Sequence, residues 1–571
     1  MTAAFAAFAA PGPGQWSLDT GHFPRPATRF TAELFPGPSK EGFAEGTAPY
    51  GLLFDHIEWA FVNGWAYLSA RPVAAVGDAG ALTRGSWDDL VRSSPDLADR
   101  LARSERVFAD KVWRHDLVLW DEHLKPALVD SHRRGQSVQT TQLDDDGLLS
   151  HLDQCRNNLA VSIRTHHRFD VTPVLPVGEL LLRCRGWSGA PAIEVLGLLQ
   201  GAGPLAVGAA TELARAAAAI RGDADSISAL QSADARDVLG SLRSRSGAGQ
   251  ATSAYLDVVG HWSAGNGFDV DDPSLIELPE LVVESLREAV ARGTGEDGDD
   301  EAADKATELR LAVPAAERGA FDDALAEARL VHRLRDERAL YCDVWANGLM
   351  RRAILAAGAR LAERGLLQAP GDLVEASYDE MRSLLCGRNG PAAGKLAQRA
   401  RHRRTADPTS VPPVLGHSSR TPLPLDWLPA GAARTEAAFR TYLAAMEGDD
   451  DDDGDEAVAS SAVHGVGASP GVYEGKARVV HGAAGIGSVR RGDVLVTEAI
   501  SPAFNIVLPL VGAVVTERGG ILSHAAIVAR EYGIPAVVGA GDSTRRIPDG
   551  ARVRVDGSSG EVVMMGPPAV S

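Results

Sequence analysis

The run Thr516-Glu517-Arg518-Gly519-Gly520-Ile521-Leu522-Ser523-His524-Ala525 is the part of this chain best equipped for chemistry. A β-branched stretch ends, two adjacent glycines turn the backbone, and His524 arrives where an Ala-rich helix begins. An imidazole there sits beside unpaired backbone N–H groups and the positive end of a helix dipole, which together attract an anion. A neutral imidazole is also a competent nucleophile for covalent group transfer. The pattern therefore suits a phosphoryl group carried on His524. Gly519 and Gly520 let the backbone approach a phosphate closely, Ser523 caps the helix or donates to a phosphate oxygen, and Thr516 is a further phosphate contact. A histidine after a glycine pair can also be a plain helix cap, so the surroundings must decide.

Other candidates are looser. Gly465 to Gly471 has the look of a nucleotide loop, but it leads into a strand pattern and contains Pro470. Lys476 follows Gly475 without the Ser or Thr that a phosphate loop needs for magnesium, so both clusters read as turn glycines. His166 and His167 adjoin Arg164 and Arg168 in an expected helix. Either one imidazole serves as general base for an acceptor hydroxyl, or both are solvated helix residues. His22 and Arg25 are further candidates on the acceptor side. Trp59, Phe61, Trp65 and Tyr67 line an aromatic pocket or belong to a core. Cys155, Cys184, Cys342 and Cys386 lie far apart with no ligand spacing, so no metal site or disulfide framework is expected, and a reducing cytoplasm fits.

The elements that must position these residues fall into contrasting regions. At 571 residues the chain is long enough for several domains. Its 57 Lys and Arg against 76 Asp and Glu repel nucleic-acid phosphates and anionic lipid, and no apolar run is long enough to span a bilayer. Neither nucleic acid nor membrane is an expected partner. Residues 15–440 read as mainly helical, with Ala206–Ile220, Asp322–Arg335 and Glu337–Arg364 periodic and free of proline. Pro408–Pro429 reads as extended connection. An acidic run at 295–305 is expected as a solvated loop, and a denser one at 447–462 as a flexible tether. From 463 to 565, short β-branched runs alternate with glycine turns around one helix, Ala525–Tyr532, as in a compact α/β domain.

From Ser469-Pro470-Gly471 through GGILSHAAIVAREYGIPAVVG to Val555-Asp556-Gly557, this last domain resembles the swivelling phosphohistidine domain of the PEP-utilising enzymes. The resemblance implies that His524 is the phosphorylated histidine. Leu522 stands where the synthase and dikinase branches have Thr, which favours the branch similar to rifampin phosphotransferase. The front of the chain is similar to the substrate region of that branch at His22-Phe23-Pro24-Arg25-Pro26, Asn63-Gly64-Trp65, Leu198-Leu199-Gln200-Gly201, Arg335 to Leu366 and Asp426-Trp427-Leu428-Pro429. The fold expected is thus multidomain: a mainly α-helical acceptor-binding region at 15–440, then a C-terminal α/β swivelling domain.

Such enzymes load the histidine through an ATP-grasp domain, and some use a (β/α)₈ barrel for phosphoenolpyruvate; motifs of neither are found here. The layout is similar to the phosphohistidine subunit of phenylphosphate synthase. The resemblance implies a phosphotransferase that forms AMP from ATP. ATP and Mg²⁺ are expected to be bound by a partner resembling the N-terminal part of PEP synthase, with no cofactor on this chain. The acceptor is expected to be a small hydroxyl compound, phenolic or antibiotic-like. Two alternatives stand beside this: a non-catalytic phosphohistidine carrier with a regulatory role, and phosphoenolpyruvate as donor through another partner.

Overall fold

A computed structural model describes residues 8–73, 76, 82–202, 207–232, 234–265, 267–292, 299–417, 422–447, 462–481, 483–500, 504 and 507–565. The chain divides into two compact units, Met1–Leu175 with Gly267–Asp271 and Arg338–Ala437, and Pro176–Asn266 with Asp272–Glu337 and Ala438–Ser571. Region 15–440 thus contributes to both. Positions 448–461 of the expected tether lie outside the described residues, as do 295–298 of the expected acidic loop. The remainder of that loop is not a loop, because a helix runs from Asp299 to Ala312.

The first unit is helical around a small antiparallel sheet that the helical periodicity did not announce. Its strands are β1 (Trp16–Leu18), β2 (Phe54–Val62), β3 (Trp65–Pro72) and β4 (Val414–Leu415), in the order β2-β3-β1-β4. Asn63 and Gly64 join β2 to β3 with φ of 53° and 87°, as a tight hairpin turn requires. Alternation then divides the aromatic quartet. Trp59 packs with Phe23, Phe35 and Leu159 in one core, whereas Trp65 and Tyr67 pack with Trp16 and Leu415 in another. Helix Pro36–Thr47 lies on helix Asp145–Arg168. A β-carbon at Gly42 would stand 2.2 Å from the Arg164 carbonyl oxygen, and one at Gly46 2.5 Å from that of Arg168, so only glycine permits this approach. Two π-helical turns, Trp120–Leu124 and Ala339–Val344, interrupt the longer helices.

The second unit contains an eight-stranded sheet: β5 (Ala462–His464), β6 (Val466–Ser469), β7 (Val472–Val480), β8 (Asp493–Thr497), β9 (Ala513–Thr516), β10 (Ala536–Val538), β11 (Arg552–Asp556) and β12 (Glu561–Met564). The order is β5-β12-β11-β7-β8-β9-β10-β6. The central β7-β8-β9-β10 pairings are parallel and the flanking ones antiparallel. Every β-branched run read from the sequence is a strand here; β5 and β6, rich in small residues, were not anticipated. Alternation gives the sheet two apolar faces. Leu495 and Val514 share a core with Ile220, Leu256 and Leu286 of the helical segments Val207–Arg221, Ala248–Val259 and Pro279–Arg292, while Val494, Val496 and Val515 face another core. The chain is therefore mainly helical and ends in a mixed α/β domain, and among its described residues no helix is long and apolar enough to cross a membrane.

Candidate functional site

The parallel pair β9 and β10 is connected by helix His524–Glu531, and the Gly519–Ser523 loop links β9 to that helix. Ser523 is the N-cap, its hydroxyl accepting from the Ala526 N–H at 3.3 Å. Gly519 holds φ at +109°, and a β-carbon on Gly520 would meet the Met446 carbonyl oxygen at 2.3 Å. Gly519, Gly520, Ser523 and His524 are thus one structural unit. Thr516 is fully buried, and its hydroxyl donates to the Arg518 carbonyl at 2.9 Å, shaping the loop from below. Leu522 is buried in turn. Arg530, in the last turn of the helix, reaches back: its guanidinium donates to the Ile521 carbonyl at 2.9 Å and the Ala468 carbonyl at 2.8 Å. Burial lowers this guanidinium to about 10.

His524 is 14% exposed, and its Nδ1 lies 3.4 Å from Asp336 Oδ1. Burial would raise the Asp336 carboxyl, but its hydrogen bond to His524 and the nearby positive charge outweigh that and hold it below the ordinary value. Four residues earlier on helix Arg318–Arg338, His332 is kept neutral by burial, at about 4. Glu531, at the other end of the His524 helix, is raised by burial to about 7 and accepts both of its contacts from the Gly201 N–H, at 3.0 and 3.1 Å. Arg329 donates to the neighbouring Leu198 carbonyl at 2.5 Å. Asp336, His332 and Arg530 escaped the sequence reading. Asp336 stands 188 positions before His524 in an ordinary charged helix, and only the fold makes them neighbours.

A second polar cluster lies within the first unit and gathers three of the sequence candidates. His166 Nδ1 is 2.7 Å from Asp343 Oδ2, His167 Nδ1 is 2.8 Å from Asp170 Oδ2, and His22 Nδ1 is 2.6 Å from Asp19 Oδ2. Phe268 stands between the groups, its ring 4.8 Å from that of His22 and 6.0 Å from that of His166. Asp269, the next residue, holds this segment in place by accepting from the Thr28 hydroxyl at 2.7 Å and the Thr31 hydroxyl at 2.9 Å. His166 and His167 are buried, which excludes the solvated-helix reading. Burial takes them down to about 3 and about 4. Burial also pushes the Asp343 carboxyl well above its ordinary range, whereas Arg338 overcomes burial at Asp170 and keeps it ionised. Partial desolvation works against a proton on the half-exposed His22, yet Asp19 outweighs it and holds the ring above the ordinary value. Arg25 is placed differently, on Asp271 at 3.1 Å, which also pairs with Arg403. The donor atoms of His166, His167 and Asp170 lie within 4.8 Å of one another, close enough to hold a metal ion.

Residues 489–560, which contain the glycine loop and His524, match the mobile domain of PEP-utilising enzymes, and residues 177–336 match the fourth domain of rifampicin phosphotransferase. These two matches support a PEP-utilising family with a swivelling histidine domain. A rifampicin phosphotransferase of Streptomyces sviceus is 30% identical over 347 residues, 58% of this chain and 36% of that protein. An uncharacterised phosphotransferase of Bacillus subtilis is 31% identical over 236 residues, 41% of this chain and 26% of that protein. The phosphoenolpyruvate synthase of Aeropyrum pernix is 50% identical over 103 residues, 18% of this chain and 12% of that protein. The chain therefore spans between about a tenth and about a third of the length of these relatives.

Proposed function

We propose that this protein is a phosphotransferase that carries a phosphoryl group on His524 to a small hydroxyl acceptor held by residues 15–440. The observation that supports this most is the placing of His524: it opens a helix behind two glycines, with Nδ1 directed at Asp336. A carboxylate on Nδ1 keeps the proton there and leaves the Nε2 lone pair as nucleophile. In loading, a P–N bond forms at Nε2 as the donor P–O bond breaks. In delivery, the acceptor oxygen attacks phosphorus, the P–N bond breaks, and its electron pair returns to Nε2. The acceptor proton goes to His22, which is half-exposed and backed by Asp19, since His166 and His167 are too weakly basic near neutrality.

The donor in this reading is ATP with Mg²⁺, bound by an ATP-grasp partner and converted with water to AMP and phosphate. The similarity to a rifampicin phosphotransferase favours a phenolic or antibiotic-like acceptor. The test is to incubate the chain with such a partner and ATP labelled at the β or γ position. Label should appear on His524 and pass to a phenol or another hydroxyl compound. Label retained by His524→Ala would overturn the reading. Labelling from phosphoenolpyruvate instead would reassign the donor, and stable label that reaches no acceptor would favour a regulatory carrier.

A further inference from the structure

The His166–Asp170 cluster holds more buried polar atoms than its hydrogen bonds satisfy. His166 Nδ1, His167 Nε2, Asp343 Oδ2 and Arg338 Nε all lack a hydrogen-bond partner, the 2.7 Å approach of His166 Nδ1 to Asp343 Oδ2 notwithstanding. Buried polar atoms are nearly always paired; His166 Nδ1 and Asp343 Oδ2 face each other, which leaves His167 Nε2 as the buried imidazole nitrogen open to a ligand. Both imidazoles are more than nine-tenths buried.

We propose that His166, His167 and Asp170 bind a divalent transition-metal ion of the zinc class. His166 Nε2 lies 3.8 Å from Asp170 Oδ1, and all three donors fall within 4.8 Å. A tetrahedral zinc shell with bonds of about 2.0–2.2 Å has donor–donor edges of roughly 3.3–3.6 Å, so small ring rotations close it. Two imidazoles with one carboxylate suit zinc or its neighbours, whereas Mg²⁺ and Ca²⁺ take oxygen ligands. Asp343, beside His166 Nδ1, is placed as the outer carboxylate that orients a histidine ligand. The π-helical turn Ala339–Val344 brings Asp343 there, and such turns recur at functional sites. The Gly42 and Gly46 approach holds the helix end that carries both histidines.

Arg338 is the competitor. Its guanidinium pairs with Asp170, supplying in the metal-free protein the positive charge that an ion would supply. This gives a sign that a passive structural cluster would not: removing Arg338 should strengthen metal binding. Sequence spacing alone hid the site, because adjacent histidines followed by an aspartate match no familiar ligand pattern.

The test uses the full chain, freed of metal by chelator dialysis and titrated calorimetrically with Zn²⁺. Visible absorption of Co²⁺ serves as a second probe, Mg²⁺ as control, and circular dichroism confirms folding of each variant. One Zn²⁺ per chain is expected. His166→Ala, His167→Gln and Asp170→Asn should each weaken it by at least about 100-fold, and Asp343→Asn by about 10- to 100-fold. Arg338→Met should tighten it by about 10-fold, and His402→Ala, on an exposed helix face, should leave it unchanged. No stoichiometric binding, or binding that survives the three ligand substitutions, would overturn the proposal and leave ordered water as the partner of those atoms.

Discussion

Replacing Asp336 by asparagine should slow phosphoryl loading of His524 by about 10- to 100-fold. The substituted side chain would keep the shape and a hydrogen-bond acceptor but lose the charge. As Nε2 bonds to phosphorus, the ring becomes cationic, and Asp336 Oδ1 lies 3.4 Å from Nδ1. At that separation a unit charge pair is worth about 1 kcal/mol at a dielectric of 80 and about 5 kcal/mol at 20. His524 and Asp336 side chains are 14% and 21% exposed, so water screens part of the interaction and the lower half of that range applies. About 1.4 to 2.7 kcal/mol remains, which is the stated 10- to 100-fold. Potassium phosphoramidate loads histidine without any protein partner, so intact-mass spectrometry after an alkaline quench reads the rate directly. Equal loading rates in folded parent and D336N would refute orientation of the ring through Nδ1. Phosphate found on Nδ1 by NMR would refute it independently.

Three further outcomes are expected. In Gly520→Ala, the new methyl must displace the backbone at Met446, whose oxygen would stand 2.3 Å away, costing roughly 1–3 kcal/mol in urea unfolding and slowing His524 loading. Burial lifts Glu531 from 4.5 to about 7, so the folded state prefers its protonated form, and stability is fullest below pH 4.5 and declines as pH rises through about 7. Glu531→Gln should therefore gain in melting temperature relative to the parent as pH rises across that window and level off above it; a constant difference from pH 4 to 8 would contradict this. Arg403→Met removes a buried guanidinium that pairs with Asp271 at 2.6 Å and Glu375 at 3.0 Å and donates to the Pro26 carbonyl at 2.8 Å. Stranding Glu375 and leaving Asp271 to Arg25 alone should cost on the order of 3–5 kcal/mol in denaturant unfolding, with Arg403→Lys unable to restore both contacts.

What could be read from the sequence was local. The glycine pair, the Ser523 cap and the place of His524 at a helix start follow from backbone geometry over about ten residues, and the strands from Ala477 to Met564 follow from short β-branched runs bounded by glycine turns. The helix Val207–Arg221 was likewise written in periodicity and composition. The β2-β3 hairpin was obscured because its inner and outer faces are both rich in aromatics, so no polar alternation marks it. Partners remote in sequence belong to the tertiary structure alone. Asp336 reaches His524, Glu531 reaches Gly201, and Asp343 reaches His166 because packed helices and sheets bring together surfaces that no local spacing encodes. Burial is decided at the same level. It makes His166 and His167 weak bases while Asp19 keeps His22 protonatable, since desolvation and charged neighbours depend on what surrounds a side chain rather than on its type.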